Sequence, residues 1–198
     1  MRFLEFQENR NRRSKALLNQ DPKYAGWDNG QIRILNNYFT DYLNGLEEAI
    51  SDGNIYISPD YNRVNSDIWE KCKKLSDMGF VIGGSTILNL YGFIERKIGD
   101  IDLFLGTDDI EFYVEDHKKV EDSGEDYVDH SDGGNDANGE RVKVNVDGFG
   151  IMDVFNQRVD YYIYDGVKIN SPFVALRAKI QYKRLKDIQD FIFMAKTI

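Results

Sequence analysis

Apolar side chains recur at helical spacing in two stretches of the first half of the chain. From Ile32 to Ile50 they lie three or four residues apart, and Asp52-Gly53 ends the pattern. A shorter stretch with the same spacing begins at Ser66 or Asp67 and ends near Gly79. We therefore predict one long and one short amphipathic helix before residue 80, with a short strand at residues 55 to 58 between them.

In the second half, apolar and polar positions alternate with a period of two. Residues 141 to 155 do so on both sides of Asp147-Gly148, and residues 159 to 169 do so around Asp165-Gly166. An Asp-Gly pair between two alternating segments is typical of a tight hairpin turn. The pattern predicts two β-hairpins, followed by a helix that begins at Ser171-Pro172 and either runs on or breaks once.

Between these halves, an apolar segment enters a glycine turn. Phe80-Val81-Ile82 is typical of a buried strand, and Gly83-Gly84-Ser85 follows it, with Ser85 placed to cap a helix from Thr86 to Tyr91. Such a turn leaves backbone N–H groups at the positive end of a helix dipole. We therefore expect this turn to suit a phosphate group.

The next predicted strand, residues 100 to 105, carries two carboxylates. Because side chains alternate along a strand, Asp100 and Asp102 should share one face, with the intervening apolar residues on the other. Two like charges held this close repel each other unless a cation lies between them. The pair suggests a hard metal ion such as Mg²⁺, bound together with triphosphate oxygens.

Composition sets broad limits. The chain has 198 residues, of which 41% are hydrophobic and 30% are charged, which is ordinary for a globular protein with a real core. It has no long apolar run, and residues 1 to 5 lack the apolar stretch of a signal peptide, so we expect a cytoplasmic protein without a membrane partner. Cys72 is the only cysteine, which excludes an internal disulfide and favours a small core residue.

The acidity of the chain is local. The net charge is −9, but residues 107 to 140 hold 13 acidic residues against Lys118 and Lys119, so the remainder of the chain is slightly basic. A basic cluster lies near the start, and residues 168 to 198 carry seven basic and two acidic residues. Outside one segment, therefore, the charge does not exclude a phosphate-bearing partner.

The motifs together resemble the nucleotidyltransferase superfamily, which has a DNA polymerase β-like fold, and most nearly its abortive-infection, toxin-antitoxin branch. Members of that branch carry a Gly-Gly-Ser/Thr turn, a leucine-rich helix that ends in Gly, an Arg, and then Asp-Ile-Asp-Leu-Phe. The matching residues here are Gly83-Gly84-Ser85, Leu88, Leu90, Gly92, Arg96 and Asp100-Ile101-Asp102-Leu103-Phe104. Residues 179 to 190 also resemble the family's closing motif, which is a Lys, a later Arg and a Lys-Asp-x-x-Asp run. One departure is that 14 residues, 86 to 99, separate Ser85 from Asp100, a longer spacing than in that branch.

The resemblance implies an α+β fold with a nucleotidyltransferase-like mixed β-sheet flanked by helices. Residues 66 to 198 would form this domain, ending in a C-terminal helix or helix pair. Residues 1 to 65 would be a helical N-terminal extension, which contributes nothing to the resemblance. Residues 121 to 140, rich in Asp, Gly, Asn and Ser, would be an acidic mobile surface loop.

The resemblance also implies a site. The superfamily places its third carboxylate on a neighbouring strand, which matches Asp153; its rival Asp147 is explained by its place in a hairpin turn. The three acids would hold one or two Mg²⁺ or Mn²⁺ ions, with Asp153 as a ligand or general base. The nucleoside triphosphate would contact the glycine turn and nearby cations, namely Gly83, Gly84, Ser85, Arg96, Lys179 and Lys183.

The implied reaction is the transfer of a nucleoside monophosphate from a nucleoside triphosphate to an acceptor hydroxyl on a tRNA, a protein or a small molecule. The branch further implies a toxin-antitoxin or phage-defence component with an antitoxin or another partner protein. Two alternatives stay open. The fold also occurs without turnover, as a binding or regulatory module. The basic termini are also compatible with a nucleic-acid-binding module, whose salt-sensitive RNA binding would survive loss of both aspartates.

Overall fold

The computed structural model describes residues 28–106, 141–182 and 184–197. Over these ranges the chain has an α+β fold of five α-helices around a six-stranded mixed, open sheet. In chain order the elements are α1 (Asn29–Ser51), α2 (Ser66–Asp77), β1 (Val81–Ile82), α3 (Gly84–Leu90), β2 (Leu103–Gly106), β3 (Arg141–Val146), β4 (Gly150–Val159), β5 (Tyr161–Tyr164), β6 (Val167–Asn170), α4 (Pro172–Tyr182) and α5 (Leu185–Thr197). The predicted acidic loop at 121 to 140 and Lys183 lie outside the described residues.

The two helices predicted before residue 80 are confirmed, and each begins at a polar cap. The Asp28 carboxylate accepts the Gln31 N–H at 2.8 Å, while the Gln31 side chain accepts the Asp28 N–H at 2.9 Å, which forms a capping box at the start of α1. Asn65 accepts the N–H of Asp67 at the start of α2. Both caps satisfy N–H groups that a helix leaves unpaired in its first turn.

The strand predicted at residues 55 to 58 is wrong. This segment is not part of the sheet, and Tyr56 is 89% exposed. Ile55 and Ile57 do pack against a helical core, so the alternation in the sequence reflects one-sided packing of an irregular segment. None of the described helices combines the length and the apolar content that a bilayer-spanning segment needs.

Both predicted hairpins are confirmed, and the sheet order is β3-β4-β2-β1-β6-β5. At its centre, β1 pairs antiparallel with β2 and parallel with β6, while β2 pairs parallel with β4. Leu103 of β2 lies opposite Val154 of β4. The residues just before them, Asp102 and Asp153, are therefore neighbours on adjacent segments of the sheet.

The two largest of three apolar clusters among the described residues hold these layers together. One is helical and joins α1 to α4 and α5; in it Phe39 stacks on Phe191 at a ring-centroid distance of 4.6 Å. The other lies between α2 and the sheet and includes Cys72, whose thiol pKa is raised to about 12 by burial, so it is a packing residue rather than a nucleophile. The helix pair at the C-terminus, α4 and α5, is thus tied to the long N-terminal helix, and the predicted boundary at residue 65 stays a prediction.

Candidate functional site

The glycine turn and the aspartate pair meet at one end of the sheet. β1 ends at Ile82 and β2 begins at Leu103, so the antiparallel pairing brings the residues just outside both strands together. The Gly83 N–H donates to the carbonyl oxygen of Asp102 at 3.0 Å. The structure therefore brings together the two motifs that the sequence places 14 residues apart.

Gly84 is required by this close approach. Its φ of +59° lies in the left-handed region, which residues with a side chain rarely adopt. A Cβ added there would overlap the carboxylate of Asp102. The Ser85 N–H donates a hydrogen bond to the same carboxylate. The turn is thus shaped around Asp102, and two of its N–H groups, those of Gly83 and Ser85, already bond Asp102 within the protein.

Two local predictions about this site are wrong. Ser85 does not cap the helix: Gly83 holds the cap position without a side-chain bond, and the Ser85 hydroxyl accepts a hydrogen bond from Arg96 Nη2 at 2.8 Å. The reason is that Gly84 already turns the chain into α3, which places Ser85 inside the helix.

Asp100 and Asp102 also precede β2 rather than lie within it, because the two-residue strand β1 pairs only with Leu103 and Phe104.

Asp100 and Asp102, called here the carboxylate pair, repel each other. Asp100 is exposed and Asp102 is partly buried. Burial and then the charge of Asp100 raise the pKa of Asp102 to about 6, although the Ser85 N–H and the positive charges of Lys179 and Lys186 act in the opposite direction. At neutral pH, a cation bound between these two carboxylates would therefore relieve their repulsion.

All three predicted acids line one open cleft of about 380 Å³. Asp100 and Asp102 come from the segment before β2, Asp153 from β4, and Lys71 of α2 adds one cation. Within the part of the chain that the structure describes, no three acidic, His or Cys side chains are grouped closely enough to form a metal cage. The carboxylates share a cleft, but they do not form a complete protein-only metal site.

Behind the turn lies a group of alternating charges, called here the charge network: Arg96, Lys179, Arg184, Asp187 and Asp190. The Asp190 carboxylate accepts a hydrogen bond from Arg96 Nε at 3.1 Å and forms an ion pair with Lys179 Nζ at 2.7 Å. Asp187 accepts the same Lys179 Nζ at 3.1 Å and Arg184 Nε at 2.8 Å. The network therefore links the Ser85 hydroxyl, through Arg96, to the start of α5.

The network changes the interpretation of two predicted ligands. Lys179 is only 6% exposed and both its carboxylate partners are buried, so its charge is committed within the protein. Arg96 keeps a side-chain exposure of 32% while it holds Ser85 and Asp190. Of these two cations, Arg96 is thus the one that stays partly exposed, whereas Lys179 holds the elements behind it.

The partners of Lys179 were not assigned from the sequence, although both belong to the closing motif. Helix α4 ends at Tyr182, and α5 begins at Leu185. Asp187 and Asp190 of α5 thereby lie against the end of α4. A lysine followed at eight and eleven residues by aspartates across a helix break is the signal that could have identified the pairing. Spacing on a single continuous helix does not predict it.

Comparison of this chain with protein-family models, with curated proteins and with solved structures finds no match in any of the three. The resemblance to nucleotidyltransferases therefore depends on the motif residues alone and stays a prediction.

Proposed function

We propose that this chain is a metal-dependent nucleotidyltransferase that moves a nucleoside monophosphate from a nucleoside triphosphate to an acceptor hydroxyl. The observation that carries the proposal is the carboxylate pair, which lines a cleft together with Asp153 and whose Asp102 lies against the glycine turn. Like charges at that position favour a cation, and a cation there favours phosphate oxygens.

The residues fit Mg²⁺ or Mn²⁺ in one specific way. These ions are commonly held by one or two carboxylates, with substrate phosphates and water as the other ligands, and they do not need a cage made of protein alone. Asp100 and Asp102 would be the protein ligands, and Asp153 would join them or act as a general base. When bound, the ion would neutralise charge on the phosphates and on the leaving pyrophosphate.

The other residues would bind and orient the substrate. Side chains of Phe104 and Asp102 fill the space beside Gly83 and Gly84. A phosphate would therefore meet the turn through the metal that Asp102 holds, and Ser85 and Arg96 would present a hydroxyl and a guanidinium to it. In this proposal Lys179 is a positioning residue, since it fixes Asp190, which in turn fixes Arg96. Asp153 would accept the proton of the attacking hydroxyl.

The direct test is transfer of label from nucleoside triphosphates. Purified protein with Mg²⁺ is incubated with each nucleoside triphosphate, labelled at the α-phosphate or at the γ-phosphate, and with bulk tRNA or cell protein as acceptors. Monophosphate transfer moves only the α-label to an acceptor, because the γ-label leaves with pyrophosphate. We expect Asp102→Ala to reduce α-label transfer by about a hundredfold or more.

The matched control is Asp77→Ala, which removes one exposed acidic residue at the end of α2. It should retain full transfer and full stability. Transfer that persists in Asp102→Ala would contradict the proposal. So would transfer of the γ-label alone, which indicates phosphoryl rather than nucleotidyl transfer.

One observation favours a second candidate, a nucleotide-binding module without turnover. Within the described residues, the three acids are not grouped as a metal site, and such a module needs only two of them. It would bind a Mg²⁺–nucleotide through Asp100 and Asp102 but label no acceptor. Nucleotide binding that depends on Asp102, without any transfer, would select this candidate over the enzyme.

A further inference from the structure

The cleft is chemically different on the two sides of the carboxylate pair. On the Ser85 side, the positive charges of Lys179 and Lys186 act on Asp102, and Arg96 lies next to Ser85. On the other side, Lys71 is the only cationic side chain among the described residues that line the cleft. The three cations on the Ser85 side lie outside the residues that line the cleft, so polarity changes along the cleft from carboxylates to a largely apolar surface.

The apolar surface, called here the apolar wall, consists of Ile68, Ile98, Phe149 and Ile151. Ile98 is 8% exposed and belongs to the core beneath the sheet, and Ile68 and Phe149 pack against that core. Because these three side chains are held by packing, this part of the wall is already formed without a ligand. A bound apolar group would not need to order it first.

Ile151 is the most exposed member of the wall. It lies on β4, two residues before Asp153, and 57% of its surface is accessible to solvent. A large aliphatic side chain exposed inside a cleft, beside carboxylates, gains free energy when an uncharged group covers it. The cleft volume of about 380 Å³ falls within the usual range of small-molecule sites.

We infer that the apolar wall binds the nucleobase of the nucleoside triphosphate; this inference rests on the proposed function. A nucleoside triphosphate has the same order of polarity as the cleft, with an anionic end, a phosphate bound to the metal, and a flat uncharged base. The carboxylate pair matches the metal that carries the triphosphate, and the apolar wall matches the base. The competing occupant is the apolar part of an acceptor molecule.

Affinity measurements without turnover test this inference. The probes are the α,β-methylene analogues of the four common ribonucleoside triphosphates, which cannot release pyrophosphate, and inorganic tripolyphosphate, all with Mg²⁺. We expect at least one analogue to bind the wild-type chain more tightly than tripolyphosphate does. Ile151→Ala should weaken binding of that analogue about fivefold and leave tripolyphosphate binding unchanged.

The chain offers a matched control in Ile163→Ala. Ile163 lies on the edge strand β5, is 68% exposed, and does not line the cleft. Ile163→Ala should change neither the affinity for the analogue nor the affinity for tripolyphosphate. A second variant, Phe149→Leu, keeps an apolar side chain but removes the aromatic face, and it should weaken analogue binding in the same direction as Ile151→Ala.

The outcomes separate this inference from the proposal beneath it. If neither the analogues nor tripolyphosphate bind, the proposed function fails and the inference with it. If tripolyphosphate binds as tightly as every analogue, or Ile151→Ala leaves the difference intact, the inference fails while the proposed function stands. If Ile151→Ala lowers transfer at saturating nucleotide without changing nucleotide affinity, the wall holds the acceptor, which also overturns the inference.

Discussion

The carboxylate pair and the charge network place aspartates in opposite electrostatic surroundings. In the network, Asp187 and Asp190 are 1% and 5% exposed, and each contacts Lys179 and one arginine. In the pair, Asp102 lies next to a second negative charge, and among the described residues neither Asp100 nor Asp102 takes part in an ion pair. Paired charges tolerate burial, whereas like charges placed together need a cation from outside the chain.

Under the proposed function, the paired aspartates of the network belong to the scaffold, and the carboxylate pair belongs to the reaction site. Five of the charged residues in the motifs satisfy one another, and they fix the position of Arg96 next to Ser85. Asp100 and Asp102 have no ion-pair partner among the described residues, although the Ser85 N–H donates a hydrogen bond to Asp102. The following predictions test whether this division is real.

The largest effect is expected from breaking the network at its centre. Lys179→Met keeps a side chain of similar length but removes the cation shared by Asp187 and Asp190. We expect the free energy of unfolding to fall by about 4 kcal/mol, because two buried carboxylates lose a partner, although each retains an arginine. Urea unfolding followed by circular dichroism measures this change.

The matched control is Lys196→Met in the last turn of α5, where the side chain is exposed. It should change the free energy of unfolding by less than about 0.5 kcal/mol. If Lys179→Met were equally mild, Lys179 would not hold the network together, and its assignment as a positioning residue would be wrong.

A somewhat smaller loss is expected from Gly84→Ala, which tests the contact between the turn and the pair. The left-handed backbone strain costs about 1 kcal/mol, and displacement of the Asp102 carboxylate from the Ser85 N–H brings the total loss to about 3 kcal/mol. Gly53→Ala is the control, since Gly53 has a φ of +71° but open space around its Cβ position. Its loss should be limited to about 1 kcal/mol of strain. Equal losses in the two variants would show that the turn is not shaped around Asp102.

How much of this site follows from the sequence depends on the range of each interaction. Helix α1, helix α2 and both hairpins are predicted because periodicity and Asp-Gly turns act between near neighbours. The Ser85 hydroxyl was assigned to a cap by the same local logic, yet it bonds Arg96, which a loop brings back from eleven residues away. The pairing of Lys179 likewise depends on a helix break, and the start of β2 depends on the length of its partner β1. Local patterns identified the acids but not their partners.

A third prediction concerns the repulsion within the pair. The pKa of Asp102 is raised to about 6 in the folded chain, above its unfolded value of 3.8, so the protonated form favours folding. This contribution is fully present below about pH 4 and is lost as pH rises through about 6. In the absence of divalent cations, Asp102→Asn should therefore be more stable than the wild type by about 3 kcal/mol at pH 8, with no difference near pH 3.5.

Thermal or urea unfolding across this pH range measures the difference. Asp187→Asn provides the contrast from the network, because the carboxylate it removes is paired with Lys179 and Arg184. That variant should lose stability at pH 8 rather than gain it. A gain in both variants would mean that the two groups of aspartates do not differ as described.

The smallest effect, and the one most specific to the pair, is stabilisation by Mg²⁺. An ion that binds only the folded chain raises the free energy of unfolding by about 1 kcal/mol when its concentration is about five times the dissociation constant. We expect this gain in the wild type and in Lys179→Met, whose pair is intact, but not in Asp102→Asn. Residues 107 to 140 carry 13 acidic side chains and will attract Mg²⁺ nonspecifically, so the comparison is made at constant ionic strength with Na⁺ as the reference cation. An equal gain in all three proteins would show that Mg²⁺ binds acidic surface residues in general. The carboxylate pair would then not be a specific Mg²⁺ site.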